Sequence, residues 1–134
     1  MAYDNNRNQR QSETDYYALI KNDILKQNRN NENEYLDNLK LLIKKYQRDI
    51  SSSQLRNVFS RVKNVKNLKQ LYALRPKLAY VYGRPNSKYG MKKLIDILDK
   101  QIKLVQKESE IELFKDFFES IIAYHKYYEG GGQN

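Results

Sequence analysis

The feature that most limits how this chain can fold is the spacing of its apolar residues. Ile111, Phe114, Phe118, Ile121, His125 and Tyr128 keep 3-4-3-4-3 steps, the period of one face of an α-helix. A strand would alternate every second residue, so this stretch reads as a helix with one buried side. Glu108, Glu110, Glu112 and Asp116 suit the positive end of its dipole, and Gly130–Gly132 ends it. The same spacing recurs upstream. Thr14 is a candidate cap for a first helix over Asp15–Gln27, carrying Tyr16, Leu19, Ile20 and Ile24. After a loop over Asn28–Asn33, Leu36, Leu39, Ile43, Tyr46 and Ile50 mark a second helix. Ser51 with Gln54 forms a capping box for a third, which carries Leu55, Val58, Phe59, Val62 and Val65. Residues 68–84 place Leu71, Leu74, Leu78 and Val81 on one side. There Pro76 must either kink the helix or begin a new one, and Gly83 with Pro85-Asn86 stops it. A further helix runs from about Met91 through Leu94, Ile95, Leu98, Ile102 and Val105.

Five Gly and two Pro in 134 residues are too few for a loop-rich or all-β chain. The expected architecture is all-α: a compact bundle of five to six helices, one domain over 15–129. It follows a disordered polar leader over 1–14 and precedes a flexible tail over 130–134.

The residues available for catalysis are few. With no Cys there is no disulfide, thiolate metal site or cysteine nucleophile, and one His rules out a multi-histidine site. His125 lies on the apolar stripe, which suits core packing or one buried hydrogen bond better than proton transfer. Glu112, Asp116 and Glu119 share helical spacing, but the middle helices offer almost no acids to complete a two-metal site. Gly83 and Gly90 belong to no phosphate-cradling motif. The expectation is a protein that is not an enzyme and needs no metal or cofactor. With no run of eighteen apolar residues and an Asn/Gln-rich start, it is expected in the cytoplasm, away from membranes.

Charge is distributed very unevenly. Residues 1–50 hold nine bases and eight acids, residues 51–107 fourteen and two, and residues 108–134 two and six. Between Asp49 and Asp96 there is no acid, while eleven Lys and Arg fall inside that window. Solvated helices usually mix signs to relieve self-repulsion, so the expectation here is a partner outside the fold that relieves it. The alternatives are a basic surface that only aids solubility, or Lys-rich codon bias, which explains neither the missing acids nor the Arg. A phosphate backbone is the commonest such partner. The third helix shows Asn57, Ser60 and Asn64 opposite its core side, flanked by Arg56 and Lys63 on one edge and Arg61 on the other. Lys77, Tyr80 and Arg84 stack at i, i+3 and i+7, and the loop after them adds Lys88. Tyr72, Tyr80, Tyr82 and Tyr89 also lie in the window, where aromatic faces among bases can stack unpaired nucleobases. Of these, Tyr80 is the one expected to face away from the core between two bases.

Three segments carry a family resemblance. Leu74-Arg75-Pro76-Lys77-Leu78-Ala79-Tyr80-Val81-Tyr82-Gly83-Arg84 resembles a stretch of the small subunit of type III-A CRISPR effector complexes, the Csm small-subunit family. Ser52-Ser53-Gln54-Leu55-Arg56 is similar to that family's helix start, and Phe117 to Tyr128 to its closing helix. The segments fall in the family's order and cover roughly residues 50–131. Glu129 departs from the family's Tyr-Gly-Gly ending, and residues 1–49 carry no part of the likeness. The resemblance implies a non-catalytic helical protein, present in several copies beside the backbone and large subunits, lining the groove that holds guide RNA and target RNA.

On this reading Arg56, Arg61, Arg75, Lys77, Tyr80, Arg84 and Lys88 are the candidate RNA contacts. Base pairing to the guide would supply specificity, leaving phosphate and sugar contacts to the protein. The acidic end following a basic centre also suggests head-to-tail association of copies. Two other readings rest on charge alone: a stand-alone nucleic-acid-binding bundle, and a protein adaptor whose basic face meets an acidic partner.

Overall fold

The closing helix organises the molecule. In the computed structural model, which describes residues 13–133, it is α7, Ile111–Glu129, preceded by α1 Tyr16–Ile20, α2 Glu32–Tyr46, α3 Ser52–Lys63, α4 Leu68–Tyr72, α5 Arg75–Tyr82 and α6 Tyr89–Leu104. Two 3-10 turns, Gln47–Asp49 and Glu108–Glu110, precede α3 and α7. Among the described residues there is no strand. With α4 and α5 taken as two halves of one arm, this is the expected all-α bundle. Most of the expected leader, residues 1–12, and the last residue of the expected tail lie outside the described residues.

Every residue of the α7 stripe is buried, with Phe117 in addition. Phe114 and Phe118 meet edge-on at 6.3 Å between centroids, and Phe59 of α3 packs on Phe118 at 5.3 Å. Burying each such ring contributes roughly 1.5–3 kcal/mol, so α7 is the spine against which α2 and α3 pack. His125, 4 % exposed, sits 3.2 Å from the Gln47 carbonyl through Nε2, which must donate there. The single histidine thus ties α7 to the turn after α2.

Pro76 begins a new helix rather than kinking one. Leu74 caps α5 with Pro76 in its first turn, where the missing N–H has no intrahelical partner to lose. Leu71, Leu74, Leu78 and Val81 are buried as expected.

The first third of the chain differs from expectation. Asp15, not Thr14, caps α1, accepting from the Ala18 N–H at 3.1 Å, and the helix stops at Ile20. The cause is Arg29. Its Nε donates to the Asp23 carbonyl at 2.8 Å and its Nη2 to the Ile24 carbonyl at 3.1 Å. It also pairs with Glu32 and stacks over the Tyr35 ring at 3.9 Å. Those bonds hold residues 21–29 in turns while Ile20 and Ile24 remain fully buried. Asn31 caps α2, shortening the expected loop, and Tyr35 and Leu42 join the core while Leu36 and Tyr46 stay half-buried.

Beyond α7, Gly131 takes φ 92°, a left-handed conformation that favours glycine. The chain turns there, and the Tyr127 hydroxyl donates to the Gln133 carbonyl at 2.9 Å.

Candidate nucleic-acid interface

Helices α3 and α5 lie side by side, and the seam between them is an open groove of about 500 Å³. Ser51 starts α3 by accepting from the Gln54 N–H at 3.3 Å. The reciprocal half of the expected capping box is not formed among the described residues; the Gln54 side chain lines the groove instead. Val58 and Val81, buried in the core, form the floor with Pro76. Gln54, Asn57 and Arg61 line the wall from α3, and Lys77 and Tyr80 of α5 line the other, with Arg84 from the turn after α5. Tyr80 is 71 % exposed, so its ring is free to receive another planar group.

No acid among the described residues lines this groove. Among the described residues, neither Arg61, Lys77 nor Arg84 has a carboxylate within ion-pair distance. Three cations, two amides and one exposed phenol ring on an apolar floor match the donors and stacking surface that a sugar-phosphate chain uses. Helix geometry explains most of the convergence: positions 77 and 80 share a face of α5, and 54, 57 and 61 share a face of α3. The expected helix to residue 84 stops at Tyr82 with Gly83 as its C-cap, so Arg84 reaches the groove from the turn that follows.

Of the seven candidate contacts, four come together here: Arg61, Lys77, Tyr80 and Arg84. The other three lie elsewhere. Arg56 is exposed on another side of α3, and Lys88 sits just ahead of α6. Arg75 turns to the far side of α5, where it pairs with Asp99 of α6 at 2.8 Å. The hydrogen bond that Arg75 donates to Asp99 raises its guanidinium above the ordinary pKa, partly offset by desolvation. This pair sits in a second groove of about 610 Å³, lined by Tyr72, Ala79, Tyr82, Ile95 and Asp96 among others. Sequence reasoning does not reveal that groove. Its one signal is that Asp96 and Asp99 are the only acids of the whole basic centre. The capping role expected of Gln54 likewise hides its place in the first groove.

The family model Csm2 Type III-A matches residues 41–131. The chain belongs to the Csm2 Type III-A family. It is therefore a small subunit of the type III-A Csm complex. The match takes in α3 to α7 and both grooves, and leaves α1 and the first part of α2 outside. It covers all three segments on which the resemblance rests. Comparison with curated proteins and with solved structures returns no match. Among the described residues, no group of three or more His, Cys, Asp or Glu could hold a metal ion, and no helix is long and apolar enough to cross a membrane.

Proposed function

We propose that this Csm2-family subunit holds the guide RNA and target RNA of the complex by their backbones, through the groove between α3 and α5. It does so without catalysing a reaction, in several copies beside the backbone and large subunits, as part of antiviral defence. The observation that supports this reading best is the convergence of Arg61, Lys77, Tyr80 and Arg84 on a groove without an acid.

Charge-assisted bonds from guanidinium and ammonium groups to phosphate are insensitive to base identity, which suits a subunit whose partner's sequence is read by the guide. Asn57 and Gln54 add amide donors that can reach sugar or phosphate oxygens. Contacts between copies would use the exposed acids at the start of α7. Glu110 is occupied there, its Oε1 accepting from the Gln106 N–H at 2.9 Å, and Glu112 pairs with Lys115 at 3.5 Å, whereas Glu108 stands exposed.

The test is to purify the tagged subunit from its host and sequence the RNA that accompanies it. Short RNAs sharing one constant repeat-derived end, retained with the other Csm subunits, are expected. Lys77→Ala/Arg84→Ala should reduce the captured target RNA while the complex still assembles. Mixed cellular RNA would point to a general nucleic-acid binder, and no RNA with one acidic protein would overturn the reading.

A further inference from the structure

A second group of cations and aromatic rings lies outside the groove, where the end of α2 meets the start of α6. The two elements approach very closely. Asp49 Oδ2 accepts from the Gly90 N–H at 2.8 Å, and a Cβ on Gly90 would stand 2.8 Å from Asp49 Cβ and 3.0 Å from Tyr46 Cβ. This contact lays the Tyr46 ring beside Tyr89, with centroids 6.2 Å apart and planes 59° from parallel. Tyr89 is nevertheless 66 % exposed. Lys93 Nζ lies 5.9 Å from the Tyr89 centroid and Lys45 Nζ 5.5 Å from that of Tyr46. Arg48 is exposed in a recess of about 410 Å³ beside Tyr46, and Lys88 immediately precedes Tyr89.

Two acids lie nearby and offset part of this charge, but among the described residues Arg48, Lys88 and Lys93 have no carboxylate within ion-pair distance. Asp49 is turned to the Gly90 N–H, and Glu13 reaches Lys45 only at 3.8 Å. Four residues separate this cluster from the first groove. The Ser87 N–H donates to the Arg84 carbonyl at 3.0 Å, and the Ser87 hydroxyl to the Val81 carbonyl at 2.6 Å. That tight, pinned turn leads directly from Arg84 in the groove to Lys88 and Tyr89.

We infer that the Tyr46–Tyr89 cluster is a second RNA contact, a stacking platform for an unpaired nucleotide next to the strand held in the groove. The direction of that track rests on the proposed function of the groove; the platform itself rests on its own rings and cations. The two sites differ in make-up: the groove sets three cations and two amides around a single ring, Tyr80, whereas the platform places two rings side by side. Phosphate contacts in the groove are indifferent to base pairing. An exposed tyrosine face needs an exposed base face, which a nucleotide inside a duplex does not offer. Lys88, Lys93 and Arg48 stand where they can take the flanking phosphates. The subunit would thus grip paired RNA in the groove and the adjoining unpaired nucleotide at Tyr89.

The experiment uses the assembled Csm ribonucleoprotein containing this full chain. Target RNAs carry a photoreactive 5-iodouridine at one position at a time, either paired to the guide or left unpaired. Cross-linked residues are mapped by mass spectrometry, and target retention is measured alongside. Cross-linking at Tyr89 is expected from unpaired positions and about tenfold less from paired ones. Tyr89→Phe should keep the cross-link and Tyr89→Leu lose it, both with unchanged circular dichroism because the side chain is exposed. Equal cross-linking from both kinds of position, or none at Tyr89, overturns the platform, as does a protein segment cross-linked there in place of RNA. If retention still depends on Lys77 and Arg84 in that case, the groove stands alone. If Tyr89 cross-links while retention ignores Lys77 and Arg84, the groove assignment fails and the platform remains.

Discussion

Arg75 grips Asp99 through two hydrogen bonds, Nε to Oδ1 at 2.8 Å and Nη2 to Oδ2 at 3.2 Å, across the seam between α5 and α6. Two residues further along the same short helix, Lys77 faces the opposite seam with no acid in reach among the described residues. Roughly half a turn of α5 therefore separates a cation that fastens the fold from a cation available to a partner.

This contrast predicts opposite consequences for two similar substitutions. Arg75→Ala should lower the melting temperature and leave RNA affinity nearly unchanged, because its charge is already paired. Lys77→Ala should leave the melting temperature nearly unchanged and weaken RNA binding. Thermal denaturation and filter binding on the same two variants check both halves.

Groove binding through phosphates carries a salt signature. Removing Lys77 and Arg84 together should flatten the plot of log affinity against log salt, by roughly 0.7–0.9 for each phosphate that is no longer neutralised. Titrations across 50–200 mM salt measure it. An unchanged slope with weaker affinity would mean that the two side chains act otherwise than by neutralising phosphate.

The junction of Asp49 with Gly90 predicts two stability losses. Asp49→Ala leaves the Gly90 N–H in the first turn of α6 without its acceptor, at a cost of about 1 kcal/mol. Gly90→Ala forces a methyl to within 2.8 Å of Asp49 Cβ and should cost roughly 1–3 kcal/mol, since the helix start must move outward. Urea unfolding of each variant gives the values.

Tyr35 predicts a pH dependence confined to alkali. Its side chain is 4 % exposed and its hydroxyl has no hydrogen-bond partner among the described residues. Burial raises its phenol from 10.0 to about 12, the nearby Arg29 charge opposing this. A pKa raised on folding means that the native state holds the proton more tightly. The associated stability is complete below pH 10 and is lost as pH rises from about 10 to about 12. The loss is on the order of 2 kcal/mol. Tyr35→Phe should flatten that alkaline limb and be neutral or stabilising at pH 7, because an unpartnered buried hydroxyl is removed. Denaturation between pH 8 and 12 compares the two proteins.

Much of this is legible in the sequence because it rests on local rules. The α7 stripe, the buried leucines along residues 68–82, and the alignment of Lys77 with Tyr80 all follow from helical periodicity; Arg84 lies past the end of α5 and joins them through the turn. Periodicity needs only the residues themselves. The early chain is less legible. Tyr16, Leu19, Ile20 and Ile24 carry helical spacing, yet Leu19 is 55 % exposed and the helix ends at Ile20. Just beyond it the Arg29 guanidinium takes the Asp23 and Ile24 carbonyls, which no local pattern foretells.

The sequence by itself determined the class of fold, the helical faces, the acid-free centre and, through three segments, the family. Only the tertiary structure decided which of the basic residues act together. Arg61 joined Lys77, Tyr80 and Arg84 because α3 packs beside α5. Arg75 left them because α6 presents Asp99 to it, and Tyr89 met Tyr46 because Gly90 lets two backbones approach. Periodicity fixes where a side chain points around its own helix axis. Which neighbour it then meets depends on how separate helices pack, and that is set by the buried faces of all of them at once.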